Sequence, residues 1–168
     1  MEREQVVKWL GHFSEMMREI EITEERYITL KEKSVSVSAP IMEGMPHGTG
    51  TITDKTARYI VQLEEIGERL RRQHEEADKV YREIEAAINK IKGNGWPDKR
   101  AVLRMQYLDL FTWSEIAEAL YIKNENFYEK QDSYITRAFR VRDRALAELA
   151  ALLPELEAEE RENEHCKI

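Results

Sequence analysis

The stretch TWSEIAEALYIKNENFYEKQDSYITRAFRVRDRALAEL, residues 112–149, decides how this chain is read. Thr112-Trp113-Ser114-Glu115 has the form of a capping box. The Thr hydroxyl can accept the third backbone N–H while the Glu carboxylate reaches back to the cap. A helix is therefore expected from Trp113 to about Tyr121, with Ile116, Ala117 and Leu120 facing inward. Lys123 to Asp132 is polar, with Phe127 and Tyr128 embedded in it. A longer helix is expected from about Ser133 to Leu153, ended by Pro154. Its apolar face is Ile135, Ala138, Phe139, Ala145, Leu146, Leu149 and Leu153.

Two helices in this order suit a helix-turn-helix, which needs a small residue where the helices cross and a reading face on the second one. Ala117 supplies the first. On the second helix, Arg137, Arg140 and Arg144 fall within about 60° of one another on the side away from the apolar face. Ser133 and Thr136 stand at the N-terminal end, where a recognition helix meets base edges. Arginine suits both bidentate contact with guanine and contact with phosphate. Arginines at helical spacing are often a solvated face balanced by carboxylates, but residues 137–144 hold four arginines and one acid, Asp143. Arg142 projects toward the apolar side and is expected to snorkel or pair with a carboxylate.

Further upstream, Asp98 to Asp109 reads as a helix with Ala101, Val102, Met105 and Leu108 on one side. Gly93-Asn94-Gly95, reinforced by Pro97, separates it from a long helix capped by Asp54. In that helix Ile60, Leu63, Gly67, Leu70, His74, Ala77, Tyr81, Ile84, Ile88 and Ile91 keep a four–three spacing, the seam of a coiled coil. Gly67 and His74 are its weak points. Residues 2–33 form another amphipathic helix through Val6, Leu10, Phe13, Met17 and Ile20, interrupted at Glu24. Between the two lies a loop, 34–53, rich in Pro and Gly. The expected architecture is all-α. It comprises a coiled-coil helical hairpin (1–92), a helix-turn-helix module (96–153) and an acidic tail (154–168).

The run RAVLRMQYLDLFTWSEIAEAL, residues 100–120, resembles region 4 of sigma-70-type factors. With RVRDRALAEL at 140–149 and the Pro/Gly loop and coiled coil upstream, it is more similar still to a phage and prophage family of sigma-region-4-like proteins. The resemblance covers about residues 20–153. It implies binding to double-stranded DNA and transcription control, with RNA polymerase as a candidate protein partner. The sequence departs from the family in one respect. Ala117 and Leu146 lie 29 positions apart (146 minus 117), about 11 more than the motif usually has. The excess falls at approximately 123–131, as a longer wing or an N-terminal extension of the recognition helix. The alternative alignment, with Phe127 and Tyr128 inside that helix, would turn Glu125 and Glu129 toward phosphates.

Charge and composition limit the remaining classes. The net charge of −7 sits at the two ends of the 168-residue chain, while residues 54–92 and 93–153 each balance nine acids with nine bases. An acidic protein of this kind gains little non-specific attraction to DNA, so a homodimer through the coiled coil, or another partner, is expected. No apolar run approaches a membrane span, no signal peptide is seen, and the single Cys166 forms no internal disulfide. These features suggest a cytoplasmic protein. His12, His47, His74 and His165 lack metal-ligand spacing, and His47-Gly48-Thr49-Gly50 lacks the Gly-Lys-Ser/Thr of a phosphate loop. No catalytic constellation stands out, so the chain reads as a non-enzyme without a cofactor. Trp96, Tyr107 and Trp113 read as core residues. Two other functions fit the same layout: a DNA-packaging initiator like a small terminase subunit, and a coiled-coil adaptor that binds only protein.

Overall fold

A computed structural model describes residues 2–37 and 51–165, with side chains for 2–35 and 57–154. The described residues are all-helical: α1 (Arg3–Val37), α2 (Thr51–Asn89), α3 (Trp96–Tyr107), α4 (Trp113–Tyr121) and α5 (Gln131–His165). The chain packs as two units, residues 1–15 with 79–168, and residues 16–78. The Gly93–Gly95 break thus lies inside the first unit.

In that first unit, α3, α4 and α5 pack on one another. Val102, Ile116, Ala117, Tyr121, Phe127 and Ala138 make a buried cluster, flanked by half-buried Met105, Trp113, Leu120, Tyr134, Ile135 and Val141. Ala117 and Ala138 are both fully buried, and small side chains on both helices let α4 and α5 approach closely. The ends of α1 and α2 add Val6, Leu10, Phe13, Ile84, Ala87 and Ile88, and the turn after α2 adds Ile91, all buried. Phe13 meets the ring of Tyr81 edge-on at 5.6 Å, and Arg3 is ion-paired with Asp143 of α5.

In the second unit, residues 16–37 and 51–78 run antiparallel. Gln73 and Arg69 reach Glu19 at 3.0 and 2.9 Å, His74 meets Glu24 at 3.2 Å, and Gly67 lies beside the ring edge of Tyr27. Among its described side chains only Ile20, Thr23, Ile66 and Ala77 are buried. Thr23 satisfies its hydroxyl on the Glu19 carbonyl.

Several expectations need correcting. The loop expected at 34–53 is narrower, because α1 continues through Val37 and α2 starts at Thr51. No Gly or Pro occurs in 34–37 or 51–53 to stop either helix. The rest of that loop, 38–50, lies outside the described residues. Asp54 is inside α2 and is not its cap. α2 ends at Asn89, and Lys90 and Ile91 continue as tighter turns onto the Ala87 and Ile88 carbonyls. The heptad seam is buried at Ala77, Ile84, Ile88 and Ile91 but exposed at Ile60. His74 is half-exposed, so it holds a surface pair with Glu24 instead of a core position. Pro97 lies in the first turn of α3, where a missing N–H costs nothing.

Pro154 does not end α5, which runs to His165. A proline there removes a single bond, the one its own N–H would give to the carbonyl four residues back, and the ladder resumes beyond it. Trp96 is 45% exposed, with Arg100 stacked over its ring at 4.3 Å, whereas Tyr107 is buried and Trp113 half-buried.

Candidate nucleic-acid interface

The site begins at the cap of α4. Thr112 accepts the Glu115 N–H at 3.4 Å, and the Glu115 carboxylate accepts the Thr112 N–H at 2.7 Å. The hydrogen bond from the Thr112 hydroxyl, with that from its backbone, holds the Glu115 carboxyl below its ordinary value. The box fixes the entry of α4, whose Ile116, Ala117 and Tyr121 then dock inward.

Residues 122–130 connect α4 to α5 as a chain of turns, neither helix nor open loop. Asn124 caps the turn by giving both its backbone and side-chain N–H to the Tyr121 carbonyl at 2.9 Å. Phe127 is the anchor of the turn. It is 1% exposed and stacks on Tyr134 at 5.5 Å. Tyr128, next to it, is 75% exposed. The extra residues thus fold into a fixed knob before α5, and Phe127 and Tyr128 do not enter a recognition helix.

Ser133, Thr136, Arg137, Arg140 and Arg144 are all exposed on one face of α5. All five line a single groove of about 600 Å³. Asn94, Gly95, Asp98 and Lys99 form its opposite wall, and Tyr134 and Val141 contribute to its lining. Counting Lys130, four bases on the α5 side face Asp98 and Lys99 across this groove. Arg140 and Arg144 make no ion pair among the described residues. Arg137 lies with its guanidinium 5.0 Å above the Tyr121 ring. This contact costs the arginine none of its charge and limits its freedom. Burial pushes the Tyr121 phenol up, against the lowering pull of the Arg137 charge.

Asp143, the single acid in the arginine run, is taken up by Arg3 and Arg142. Arg142 is half-buried, with its guanidinium 5.2 Å from the Trp113 ring and 5.1 Å from Phe139. It is directed away from the groove, the side its place on the helical wheel assigned to it.

The opposite wall is held by Glu148. Its carboxylate accepts from Lys99 Nζ at 2.7 Å and from the Gly93 N–H at 2.8 Å. The Lys99 bond above all, with that from Gly93, holds Glu148 below its ordinary value. A Cβ on Gly93 would stand 2.7 Å from that carboxylate, so glycine is what admits the approach. The helical wheel puts the three arginines on one side of α5, where they line the groove, whereas the second wall and Lys130, which share it, were not singled out by the sequence. Asn94, Gly95 and Lys99 lie in a stretch that reads only as a helix break. Their signal was Glu148, a carboxylate set between Leu146 and Leu149 on the apolar side of α5.

Among the described residues no helix is long and apolar enough to cross a membrane, and no group of three or more His, Cys, Asp or Glu is placed to hold a metal ion. No curated protein and no solved structure matches the chain. A family model matches residues 34–138, more than half of the 168 residues. The chain therefore belongs to the family whose description is "Protein of unknown function (DUF1492)".

Proposed function

We propose that this protein is a DNA-binding transcription regulator of phage or prophage type, acting in the cytoplasm, whose α5 reads duplex DNA in the manner of sigma region 4. The observation that carries this reading is the groove. Arg140 and Arg144 stand exposed on its wall, without an ion pair among the described residues, beside a preoriented Arg137. Leaving cations of one sign together is unfavourable without an anionic partner, and a phosphate backbone is the partner such a face suits. Ser133 and Thr136, near the start of α5, are positioned for base edges, while the arginines neutralise phosphates or read guanine.

The net charge of −7 argues that one copy binds weakly, so two copies are expected to act together. In the second unit Ile22, Ile28, Ile60 and Val61 are each more than half exposed, which suits a coiled-coil dimer contact. The resemblance to sigma region 4 adds RNA polymerase as a candidate protein partner, to be sought by co-purification.

Retention of genomic DNA fragments at two salt concentrations tests the reading, with Arg137→Ala and Arg140→Ala alongside the wild type. Binding should weaken steeply with salt. Each lost phosphate contact should flatten the slope of log K against log salt by about 0.9. Absence of retention at low salt, or unchanged binding by both variants, would overturn it. Light scattering should give a dimer, whereas a ring of many copies would favour a packaging initiator.

A further inference from the structure

We infer that Lys130, delivered by the inserted turn 122–130, is a phosphate contact of the same DNA site, placed there at the expense of helix stability. The inference rests on the DNA-binding reading above and extends the site beyond the five residues named for it.

The carbonyl of Lys130 accepts the N–H of Tyr134 at 3.2 Å and that of Ser133 at 2.9 Å. Residue 130 is therefore the N-cap of α5, and the helical period already holds there. Counting from it, 130, 133, 137, 140 and 144 advance by three and four residues, one continuous face about 21 Å long. Lys130 lines the groove with the other four and makes no ion pair among the described residues.

For stability, lysine is the wrong residue at this position. An N-cap favours Ser, Thr, Asp or Asn, whose side chains accept the free N–H groups, and lysine has no acceptor. Its charge also stands at the positive end of the helix dipole. The turn that carries it is nonetheless built firmly, with Phe127 buried beneath it and the Lys130 N–H bonded to the carbonyls of Asn126 and Phe127. A cation fixed where it opposes the helix, in line with three arginines, is explained by an anion that binds across them.

The test uses the full chain and a duplex that the wild type retains. Lys130→Ala should flatten the salt slope by about 0.9, one phosphate contact. Lys130→Asp should weaken binding further while its thermal midpoint stays equal to or above that of the wild type, because aspartate is a good cap. Lys123→Ala removes a cation of the same turn that does not line the groove, and should bind as the wild type does. The proposal is overturned if Lys130→Asp binds as tightly as the wild type, if Lys130→Ala keeps the full slope, or if Lys123→Ala loses as much as Lys130→Ala. Loss of binding with a collapsed midpoint in Lys130→Asp would assign the residue a structural role and overturn it as well. If the Arg137 and Arg140 variants weaken binding and Lys130 variants do not, this inference fails and the DNA-binding reading stands. If the wild type retains no duplex, both fail.

Discussion

The helix-turn-helix and the hairpin segment 16–78 both carry apolar residues at helical spacing, yet they fold with opposite economies. Around α4 and α5 three helices and a turn surround Ile116, Ala117, Phe127 and Ala138, which are 1% exposed or less. In 16–78 two helices lie side by side, and Ile60 remains 51% exposed although it stands on the seam, while Ile22 and Ile28, outside the stripe, are 59% and 54% exposed. A stripe on one helix faces one neighbour, so a pair of helices can cover a seam but not enclose a residue. Polar pairs such as Glu19 with Arg69 and Glu24 with His74 hold the second arrangement, and exposed pairs of this type contribute little each. Periodicity thus shows which residues face a partner, and the number of neighbours decides what that facing is worth.

The comparison breaks first at Phe127. Phe127→Ala should cost about 3–5 kcal/mol, the range for a buried aromatic, read by chemical denaturation. Ile28→Ala should cost less than about 0.5 kcal/mol, as a surface change. Equal costs would mean that the hairpin segment is enclosed in solution by a partner.

Next in size is Glu148→Gln, at about 1.5 kcal/mol for weakening charge-assisted hydrogen bonds. It carries a pH signature as well. The folded-state value of Glu148 is depressed, so its contribution is full above the unfolded carboxylate value. It fades as pH falls through the lower folded value. The variant should therefore lose part of the wild type's acid sensitivity below about pH 4.5, and an unchanged acid profile would count against a stabilising role for the Glu148 bonds to Lys99 and Gly93.

Thr112→Ala should cost about 1 kcal/mol by removing the cap, measurable as a lowered denaturation midpoint. The smallest effect has the opposite sign. Leu110, at the α3–α4 corner, has φ 57° and is 45% exposed, a backbone state that disfavours a side chain. Leu110→Gly should gain about 0.5 kcal/mol, the strain relief less the added chain freedom. A loss would show that the exposed leucine makes a contact of its own.

These sites also mark what the sequence made legible. Thr112 and Glu115 announced the cap because that interaction is local, and α4 has the bounds expected from it. The arginine face of α5 was legible for the same reason, since helical geometry alone sets which side chains share a side. Phe127 was not, because nothing local tells a buried aromatic in a polar turn from an exposed one, and Tyr128 beside it took the opposite fate. Ile60 and Ile88 have the same place in the heptad pattern, and only tertiary neighbours separate an exposed residue from a buried one. Pro154 misled for a related reason, because a local penalty was taken as decisive where the flanking helix outweighs it.

The anchoring of Phe127 divides the nine-residue connection 122–130 into stretches with different evolutionary freedom. Residues added before the anchor would enlarge a surface bulge, and even doubling such a span costs only about 0.6 kcal/mol in closure entropy. One residue added between Phe127 and Lys130 would instead break the interval set by the Lys130 N–H on the Asn126 and Phe127 carbonyls. Either the core would lose its aromatic plug or the cation would leave its row. Length variation among relatives is therefore expected to collect at 123–126, with the three-step interval from anchor to cation kept constant.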